Sequence, residues 1–420
     1  MDIAIFIFYL LLVCLCISIM PFYKKSGIEK RLLIPLFLIK IIAGTAYAKF
    51  YSLPKYYNGS DTWRFYRLSL EEKKWLLSDP IAFIKDLFVY GYNRPGNIFA
   101  SENSYWNDLK SNIPVKLLAV MNVLTNDNYY ANIILFNFLF FIGLIALYKV
   151  FIKYAPQKKW EIIIGVFLLP STLFWCSGIH KDGLILSSIG CIIYLVDKKN
   201  LSILNVITTG LASLLVFSLR NYLLIALFPA IFCWLLSKKY KDHTLKIYLS
   251  FYSIGLVLFF AIPFFINSLN PLTILAEKQK EFLQLSGGSS VISEPLIPTI
   301  KGYIAYFPSA FDIAFLRPHI NEISNTAYIP AIAENLLLYL MVVVCLFTTR
   351  KKIKGSAFFL CLIFFSLSIL LICGYTITLT GAIVRYRSIA LPFLITSLLC
   401  LSKWPFSLFG LNAKQNYYSG

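Results

Sequence analysis

Charged residues are scarce in this 420-residue chain: they make up 14% of it, where soluble proteins contain roughly 25%. Hydrophobic residues account for 58% of the chain, and the mean hydropathy is +0.71. This shortage of charge excludes a soluble enzyme, a disordered scaffold, a collagen-like fibre and a secreted disulfide-linked domain. The composition therefore predicts a membrane protein.

Two further features are missing from the sequence. None of the nine cysteines has a metal-ligand spacing such as C-x-x-C, and all lie in or beside apolar runs, where we expect them to be small buried side chains. The first apolar run lacks a basic leader and a small-residue cleavage site, and a basic stretch follows it directly. We therefore expect a retained helix and not a cleaved signal peptide.

Apolar runs of a length that can cross a bilayer recur along the chain. We place eleven of them, at 3–21, 32–50, 130–150, 161–177, 183–197, 202–219, 221–237, 246–267, 329–349, 355–374 and 386–402. The predicted fold class is a polytopic, all-α helical membrane protein with amphipathic helices in two long outer loops. Its predicted parts are two N-terminal spans (1–50), an outer loop (51–129), a six-helix core (130–267), a second outer segment (268–328) and three C-terminal spans with a cytoplasmic tail (329–420).

Lysine and arginine are concentrated on alternate connections between these runs. The connections on one side hold 20 Lys and Arg against four acidic residues, whereas the other side holds 18 against 15. By the positive-inside rule the basic side is cytoplasmic, so we expect the N-terminus outside and the C-terminus inside. Because this orientation signal accounts for nearly all of the +19 net charge, no nucleic-acid partner is predicted.

The first outer segment contains a candidate catalytic acid. Asp61 lies among aromatic residues beside Arg64 and Arg67, where it is a candidate general base, metal ligand or helix N-cap. No cofactor is predicted, although the metal-ligand alternative leaves a divalent ion such as Mg²⁺ or Mn²⁺ open. Residues 71–90 mix apolar and charged side chains around Pro80, a pattern typical of amphipathic helices at the membrane interface or of a small extracellular cap.

Further ionisable residues stand at the outer ends of later spans. His180, Lys181 and Asp182 share a short turn, which is either a functional site or a simple interfacial turn with a snorkelling lysine. Arg220 separates two apolar stretches without an acid near it in sequence, so its guanidinium is suited to phosphate. Two more outer arginines oppose the positive-inside trend at the start of the last span, at positions Arg385 and Arg387.

The second outer segment and the ninth span add candidate supporting groups. Asp312, Arg317, His319 and Glu322 lie close together in sequence, and Glu334 is expected to pair with a cation or a helix inside its span. Together with the outer ends named above, they predict a cationic site near the outer headgroup plane that is suited to a lipid-linked phosphate. Aromatic residues nearby are suited to stacking on sugar rings or to an interfacial aromatic belt: Trp63, Tyr92, Tyr105 and Trp106.

The order of these features resembles the GT-C superfamily of membrane glycosyltransferases, in which an outer loop with an early Asp and interface helices precedes many spans with short connections. PSTLFWCSGIHKDG (170–183), AFLRPHINE (314–322) with AIAENLLL (331–338), and VRYRSIALPFL (384–394) are also similar to segments of bacterial polysaccharide-assembly glycosyltransferases and polymerases. The chain departs from the GT-C pattern in having an extra N-terminal span and no second acid beside Asp61.

The resemblance implies transfer of a sugar from a polyprenyl-phosphate carrier to a saccharide or lipid-linked acceptor, with inversion at the anomeric carbon. Asp61 would deprotonate the acceptor hydroxyl. Cations would hold the leaving phosphate, with His180 as an additional donor: Lys181, Arg220, Arg385 and Arg387. The protein would lie among the lipids of a bacterial cytoplasmic membrane, with its site on the outer face.

Two alternatives remain at this point. An O-antigen or exopolysaccharide polymerase or ligase would use a lipid-diphosphate donor and depend on the arginines but not on Asp61. A lipid or polysaccharide transporter would place ionisable residues within the membrane, where the sequence offers only Lys40 and Glu334.

Overall fold

The computed structural model describes residues 2–89, 91, 93–99, 104–198, 202–266, 270–285, 290, 291, 293–322, 328–348 and 357–402. Tyr92, the predicted cytoplasmic connection 350–354 and the tail from residue 403 lie outside these ranges. Within them the chain forms helices and no strand, apart from one isolated β-bridge between Ser290 and Leu379.

Eighteen α-helices make up the described chain: α1 (Ile3–Ile19), α2 (Pro21–Lys24), α3 (Lys30–Tyr51), α4 (Pro54–Tyr57), α5 (Asp61–Ser78), α6 (Pro80–Lys85), α7 (Tyr105–Thr125), α8 (Tyr129–Tyr154), α9 (Lys159–Phe167), α10 (Pro170–Trp175), α11 (Lys181–Lys198), α12 (Ile203–Lys239), α13 (Thr244–Phe265), α14 (Pro271–Gln284), α15 (Ile300–Phe311), α16 (Ile329–Thr348), α17 (Ala357–Thr376) and α18 (Thr380–Leu401). A π-helical turn, Asp312–Leu316, continues from α15.

Among the described residues, six helices are long and apolar enough to cross a membrane: α3, α8, α12, α13, α17 and α18. They agree with the predicted all-α membrane class, but the predicted count of eleven spans is not confirmed. Two predicted spans, 202–219 and 221–237, both lie in α12, which non-helical backbone interrupts at Arg220 (φ −155°, ψ 86°). The predicted span 161–177 is divided between α9 and α10, because Pro170 begins a new helix.

One of the two most buried of these six helices, α8, packs closely against α11 through small residues. Gly143 of α8 donates its backbone N–H to Ser187 Oγ at 3.2 Å, and a Cβ on Gly190 would overlap the Gly143 carbonyl. Small residues at such crossings let two helix backbones approach, which is a common packing mode within membranes. α13 is the opposite case, because most of its apolar side chains are exposed and suit contact with lipid.

The first outer segment is held together by a buried lysine between α5, α6 and α7. Lys116 of α7 is 4% exposed, and its Nζ lies 2.8 Å from Glu72 Oε2 and 3.0 Å from Asp86 Oδ2. The ammonium also lies 4.7 Å from the ring centre of Trp75 and 4.1 Å from that of Phe83. These contacts fix α5 against the rest of the segment, and thereby the helix that begins with Asp61.

Candidate functional site

Four separate parts of the chain meet beside the first turn of α5. Asp61 is the first residue of α5, residues 180–182 lead into α11, Arg220 interrupts α12, and Arg385 lies near the start of α18. Hydrogen bonds, ion pairs and charge interactions connect them. We call this group the Asp61 cluster, and it consists of Asp61, His180, Lys181, Asp182, Arg220 and Arg385.

Asp61 does not cap its own helix. Ser60 occupies the N-cap position, and its hydroxyl donates a hydrogen bond to the Tyr57 carbonyl at 2.9 Å. The Asp61 Oδ2 lies 2.9 Å from His180 Nε2 and accepts a hydrogen bond from Arg385 Nη2 at 3.2 Å. Asp61 Oδ1 has no hydrogen-bond partner in the described part of the chain, and the side chain is 32% exposed. One carboxylate oxygen is therefore available to a ligand.

The protonation of Asp61 follows from these neighbours. Burial raises the pKa of the Asp61 carboxyl, but the hydrogen bond and charge of His180 and the charges of Arg385 and Lys181 outweigh it and hold the pKa well below its usual range. Asp61 is therefore ionised near neutral pH. Because a low pKa also means low basicity, Asp61 is a weak base in this arrangement.

Asp182 lies fully buried at the centre of the cluster. Its Oδ2 accepts a hydrogen bond from Arg385 Nε at 2.8 Å and lies 3.1 Å from His180 Nδ1. Its Oδ1 lies 2.5 Å from Arg220 Nη2, but the two atoms lack hydrogen-bond geometry. His180 is also fully buried and touches both carboxylates, so it fixes the position of Asp61 relative to Asp182.

Arg220 has more donors than the surrounding protein uses. Its side chain is 4% exposed and stacks over Tyr386, with 3.8 Å between the guanidinium carbon and the ring centre. Nη1 donates to the Tyr222 hydroxyl at 3.4 Å and Nη2 forms an ion pair with Asp182 Oδ1, whereas Nε is buried without a partner among the described residues. An unpaired buried donor on a cation is costly, so this guanidinium is suited to receive an anion.

Two lysines add positive charge beside the arginines. Lys181 lies in electrostatic range of Arg220 and Arg385 and makes no hydrogen bond or ion pair within the described ranges. Lys110 of α7 also lies in electrostatic range of Arg220, and burial together with the charges of Lys278 and Arg220 lowers the pKa of Lys110 to about 8. Leaving His180 aside, the Asp61 cluster contains two arginines, two carboxylates and Lys181, whose pKa is lowered to about 7 by burial and by the charges of the two arginines. The cluster therefore has an excess of positive charge where Lys181 is protonated, at and below about pH 7.

Arg387 does not join the Asp61 cluster, although sequence analysis grouped it with Arg385. Residues two apart on a helix point in nearly opposite directions. Arg387 Nη1 donates to the Arg317 carbonyl at 2.9 Å, and Nη2 donates to Asn335 Oδ1. Arg387 thus connects α18 to the second outer segment.

The two ionisable residues predicted inside spans both bind groups of the protein itself. Glu334 Oε1 accepts a hydrogen bond from the backbone N–H of Ser171 at 3.0 Å. Lys40 Nζ donates to the Cys176 carbonyl at 3.1 Å and to Ser177 Oγ at 2.9 Å. Neither residue presents an unused polar group that would mark a path across the membrane.

The second outer segment contains a separate group of ionisable residues, which we call the Arg317 cluster: Asp312, Arg317, His319 and Glu322. Arg317 Nε donates to Asp312 Oδ2 at 2.8 Å, and its Nη1 donates to Glu322 Oε1. His319 Nε2 pairs with Asp312 Oδ1 at 2.8 Å, and the His319 backbone N–H donates to Glu322 Oε2 at 3.0 Å. Every carboxylate oxygen of this cluster therefore has a partner.

Two cavities adjoin the Arg317 cluster. One has a volume of about 670 Å³ and is lined mainly by apolar side chains of the 316–321 stretch and α16, together with His319 and Tyr339. The other, of about 300 Å³, is lined by Asp312 and Arg317 among others. Neither cavity is lined by a residue of the Asp61 cluster. We place the candidate functional site at the Asp61 cluster, because a cavity alone does not provide hydrogen-bond donors for a ligand.

The aromatic residues considered for sugar stacking take part in packing. Trp63 stacks on Tyr129 with 4.1 Å between ring centres and donates its indole N–H to the Ala48 carbonyl at 3.3 Å. The Tyr105 hydroxyl donates to the Leu87 carbonyl at 2.7 Å. Trp106 meets Phe217 edge to face at 6.0 Å, which brings α7 against α12 near Arg220.

The described residues contain no group of three or more His, Cys, Asp and Glu side chains placed to hold a metal ion. Asp61 and Asp182 are the only carboxylates of the Asp61 cluster, and Arg385 lies between them. A guanidinium in that position repels a metal cation, so this arrangement of donors suits an anion better than Mg²⁺ or Mn²⁺.

Lys110 and Tyr386 contribute to the site without having been among the predicted site residues. Tyr386 could have been noticed because it lies between two outer arginines, whereas Lys110 lies on an amphipathic helix where a lysine is ordinarily a solvated residue. No family model matches the chain, and no curated protein or solved structure matches it either.

Proposed function

We propose that this protein is a membrane glycosyltransferase that moves a sugar from a polyprenyl-phosphate carrier to an acceptor on the outer face of a bacterial cytoplasmic membrane. The observation that carries the proposal is the Asp61 cluster. It combines a partly exposed carboxylate that has one unused oxygen with a buried arginine whose Nε has no partner among the described residues. A base and an anion site side by side are what glycosyl transfer from a phosphate needs.

The reaction assigns one role to each side of the cluster. The acceptor hydroxyl oxygen forms a bond to the anomeric carbon, and the bond from that carbon to the phosphate oxygen breaks. The phosphate leaves with the electron pair, while the hydroxyl proton passes to Asp61 Oδ1. Attack opposite to the leaving group inverts the anomeric configuration.

The weak basicity of Asp61 is compatible with this role. An acceptor hydroxyl becomes more acidic as its oxygen bonds to an electron-poor anomeric carbon, so a weak base is able to take the proton late in the step. His180 and Arg385 hold Asp61 Oδ2 and leave Oδ1 to the hydroxyl. The role of these two residues toward Asp61 is therefore orientation.

We assign the leaving phosphate to the part of the Asp61 cluster that contains Arg220. The unpaired Nε of Arg220 supplies a donor, and Lys181 and Lys110 add charge nearby. Donors that are already in place stabilise the charge that develops on the phosphate without reorganising during the reaction. Arg387 has no part in this binding, because its partners, the Arg317 carbonyl and Asn335 of α16, lie outside the Asp61 cluster.

A polymerase or ligase with a lipid-diphosphate donor is the second candidate. The observation that favours it is that Arg220 has an unpaired donor, whereas Asp61 is held at low basicity. In that case the arginines are required and Asp61 is needed only to orient its neighbours.

The two candidates differ in how transfer responds to loss of the Asp61 charge. In membranes reconstituted with a polyprenyl-phosphate-sugar donor, Asp61→Asn should lower transfer by about 10²- to 10⁴-fold, the range typical of a general base. Asp127→Asn is the matched control, because Asp127 also lies in the first outer segment but pairs with Lys73 outside the Asp61 cluster. Near-normal transfer by Asp61→Asn would reject the proposed mechanism and favour the polymerase or ligase.

A further inference from the structure

A buried lysine of the membrane core supports the turn that carries His180. Lys40 lies in the middle of α3 and is 2% exposed. No carboxylate pairs with it in the described part of the chain. Its Nζ instead donates to the Cys176 carbonyl and to Ser177 Oγ, both in the turn between α10 and α11. Burying a cation at this depth in a membrane costs free energy, so we expect Lys40 to have a specific role.

The Cys176–Ile179 turn is held from two further directions. Asn137 of α8 donates from Nδ2 to the Ser177 carbonyl at 2.7 Å. Gly44 of α3, one helical turn after Lys40, lies so close that a Cβ at this position would overlap the same carbonyl. Non-helical backbone inside a membrane protein needs such partners, because lipid offers none. Lys40 is the charged member of this support and the one that binds two groups of the turn.

The turn leads directly into the Asp61 cluster. His180 follows Ile179, is fully buried, and lies 2.9 Å from Asp61 and 3.1 Å from Asp182. A shift of the turn would therefore move the His180 ring relative to the Asp61 carboxylate. Arg220 lies on α12, and its ion pair is with Asp182 in the first turn of α11, beyond the Cys176–Ile179 turn.

We propose that Lys40 is a positioning residue, which fixes the Cys176–Ile179 turn through its ammonium and so sets the place of His180 against Asp61. The inference rests on the proposed function, because it assigns Lys40 to the same reaction. The proposal distinguishes two roles. Lys40 acts on the catalytic step through His180, whereas Arg220 binds the donor phosphate.

A double-mutant cycle with His180 tests this assignment. Lys40→Met keeps the side-chain volume but removes the donors, and it should lower kcat for sugar transfer by about 10-fold with the KM for the donor changed less than about 2-fold. In the background of His180→Ala the same change should lower kcat by less than about 2-fold, because the residue through which Lys40 acts is gone.

Lys158→Met is the matched control, since Lys158 is also a largely buried lysine, 17% exposed, but binds Glu161 instead of the turn. Its effect on kcat should be the same with and without His180. If Lys40→Met does not accumulate in the membrane, Ser177→Ala removes one of the two groups that Lys40 binds and should show the same dependence on His180.

Three outcomes overturn the proposal: an unchanged kcat in Lys40→Met, an effect that multiplies with that of His180→Ala, or a loss that appears in the donor KM alone. For Ser177→Ala, an effect independent of His180 counts against it in the same way. Failure of the proposed function gives a different result from failure of the Lys40 proposal, because Asp61→Asn would then transfer sugar normally. A result in which Asp61→Asn is inactive and the Lys40 and His180 effects multiply rejects only the role of Lys40.

Discussion

The Asp61 cluster and the Arg317 cluster contain the same kinds of side chains but use them differently. Both join two carboxylates to arginine and histidine, and Arg385 and Arg317 are equally exposed, at 19%. In the Arg317 cluster every carboxylate oxygen has a partner, and carboxylates outnumber the single arginine. In the Asp61 cluster cations are in excess where Lys181 is protonated, and one donor of Arg220 and one oxygen of Asp61 remain unused.

This difference separates a structural cluster from a candidate reactive one. Charges that satisfy one another connect segments, as the Arg317 cluster does with the help of Arg387. Charges that are assembled in excess and left with unused hydrogen-bonding groups raise the energy of the empty site and are compensated when a ligand binds. The location of the unused groups therefore indicates function better than the presence of ionisable residues.

The largest expected effect in this comparison follows from removing Arg385. Arg385→Met leaves the fully buried Asp182 without its strongest hydrogen bond, and a buried charge that loses its partner costs about 3 to 5 kcal/mol. We expect the free energy of unfolding in detergent to fall by about that amount and sugar transfer to be lost. A decrease of less than about 1 kcal/mol in the free energy of unfolding would show that Arg220 and His180 are sufficient to stabilise the buried Asp182 carboxylate.

Removing the equally exposed arginine of the other cluster should have a smaller effect. Arg317→Met leaves Asp312 and Glu322, which are 29% and 23% exposed and are able to take water in place of the guanidinium. We expect a loss of about 1 to 2 kcal/mol in the free energy of unfolding, with transfer by the folded protein retained. Loss of transfer at full stability would mean that the Arg317 cluster takes part in the reaction.

The smallest effect concerns the pH dependence of donor binding. Because the pKa of Lys110 is about 8, its charge is present at pH 7 and mostly lost at pH 9. A phosphodiester-linked donor does not titrate in this range, so its affinity should fall by about 3- to 10-fold as the pH rises through 8. Lys110→Met should bind more weakly at pH 7 and should show a smaller fall, because Lys181, with a pKa of about 7, still loses its charge in this range. An equal pH dependence in Lys110→Met would assign the titration to another group.

Sequence reasoning grouped the outer residues because the predicted topology placed their span ends on one face. The structure brings Asp61, residues 180–182, Arg220 and Arg385 together. Arg387 was misgrouped, since its side of α18 depends on helix geometry that sequence adjacency hides. The groups that Lys40 binds were not predictable, because they belong to a turn about 136 residues further along the chain.

The helix count shows the same division between local and long-range information. Long apolar runs such as α8 and α17 were predicted from composition alone. The sequence predicted a boundary between two spans at Arg220, where the structure has non-helical backbone within α12. The break before Pro170 was not predicted, because 161–177 was interpreted as one ordinary span.

Binding of a short polyprenyl phosphate, such as farnesyl phosphate, to the protein in detergent tests the central claim most directly. The account predicts that Arg220→Met weakens binding by about 10-fold or more, since a charge-assisted contact contributes about 1.5 to 3 kcal/mol, while Arg317→Met binds like the wild type. Measurement by titration calorimetry on folded variants separates affinity from stability. Equal affinities for Arg220→Met and the wild type, or an equal loss in both variants, would contradict the assignment of the anion site to the Asp61 cluster.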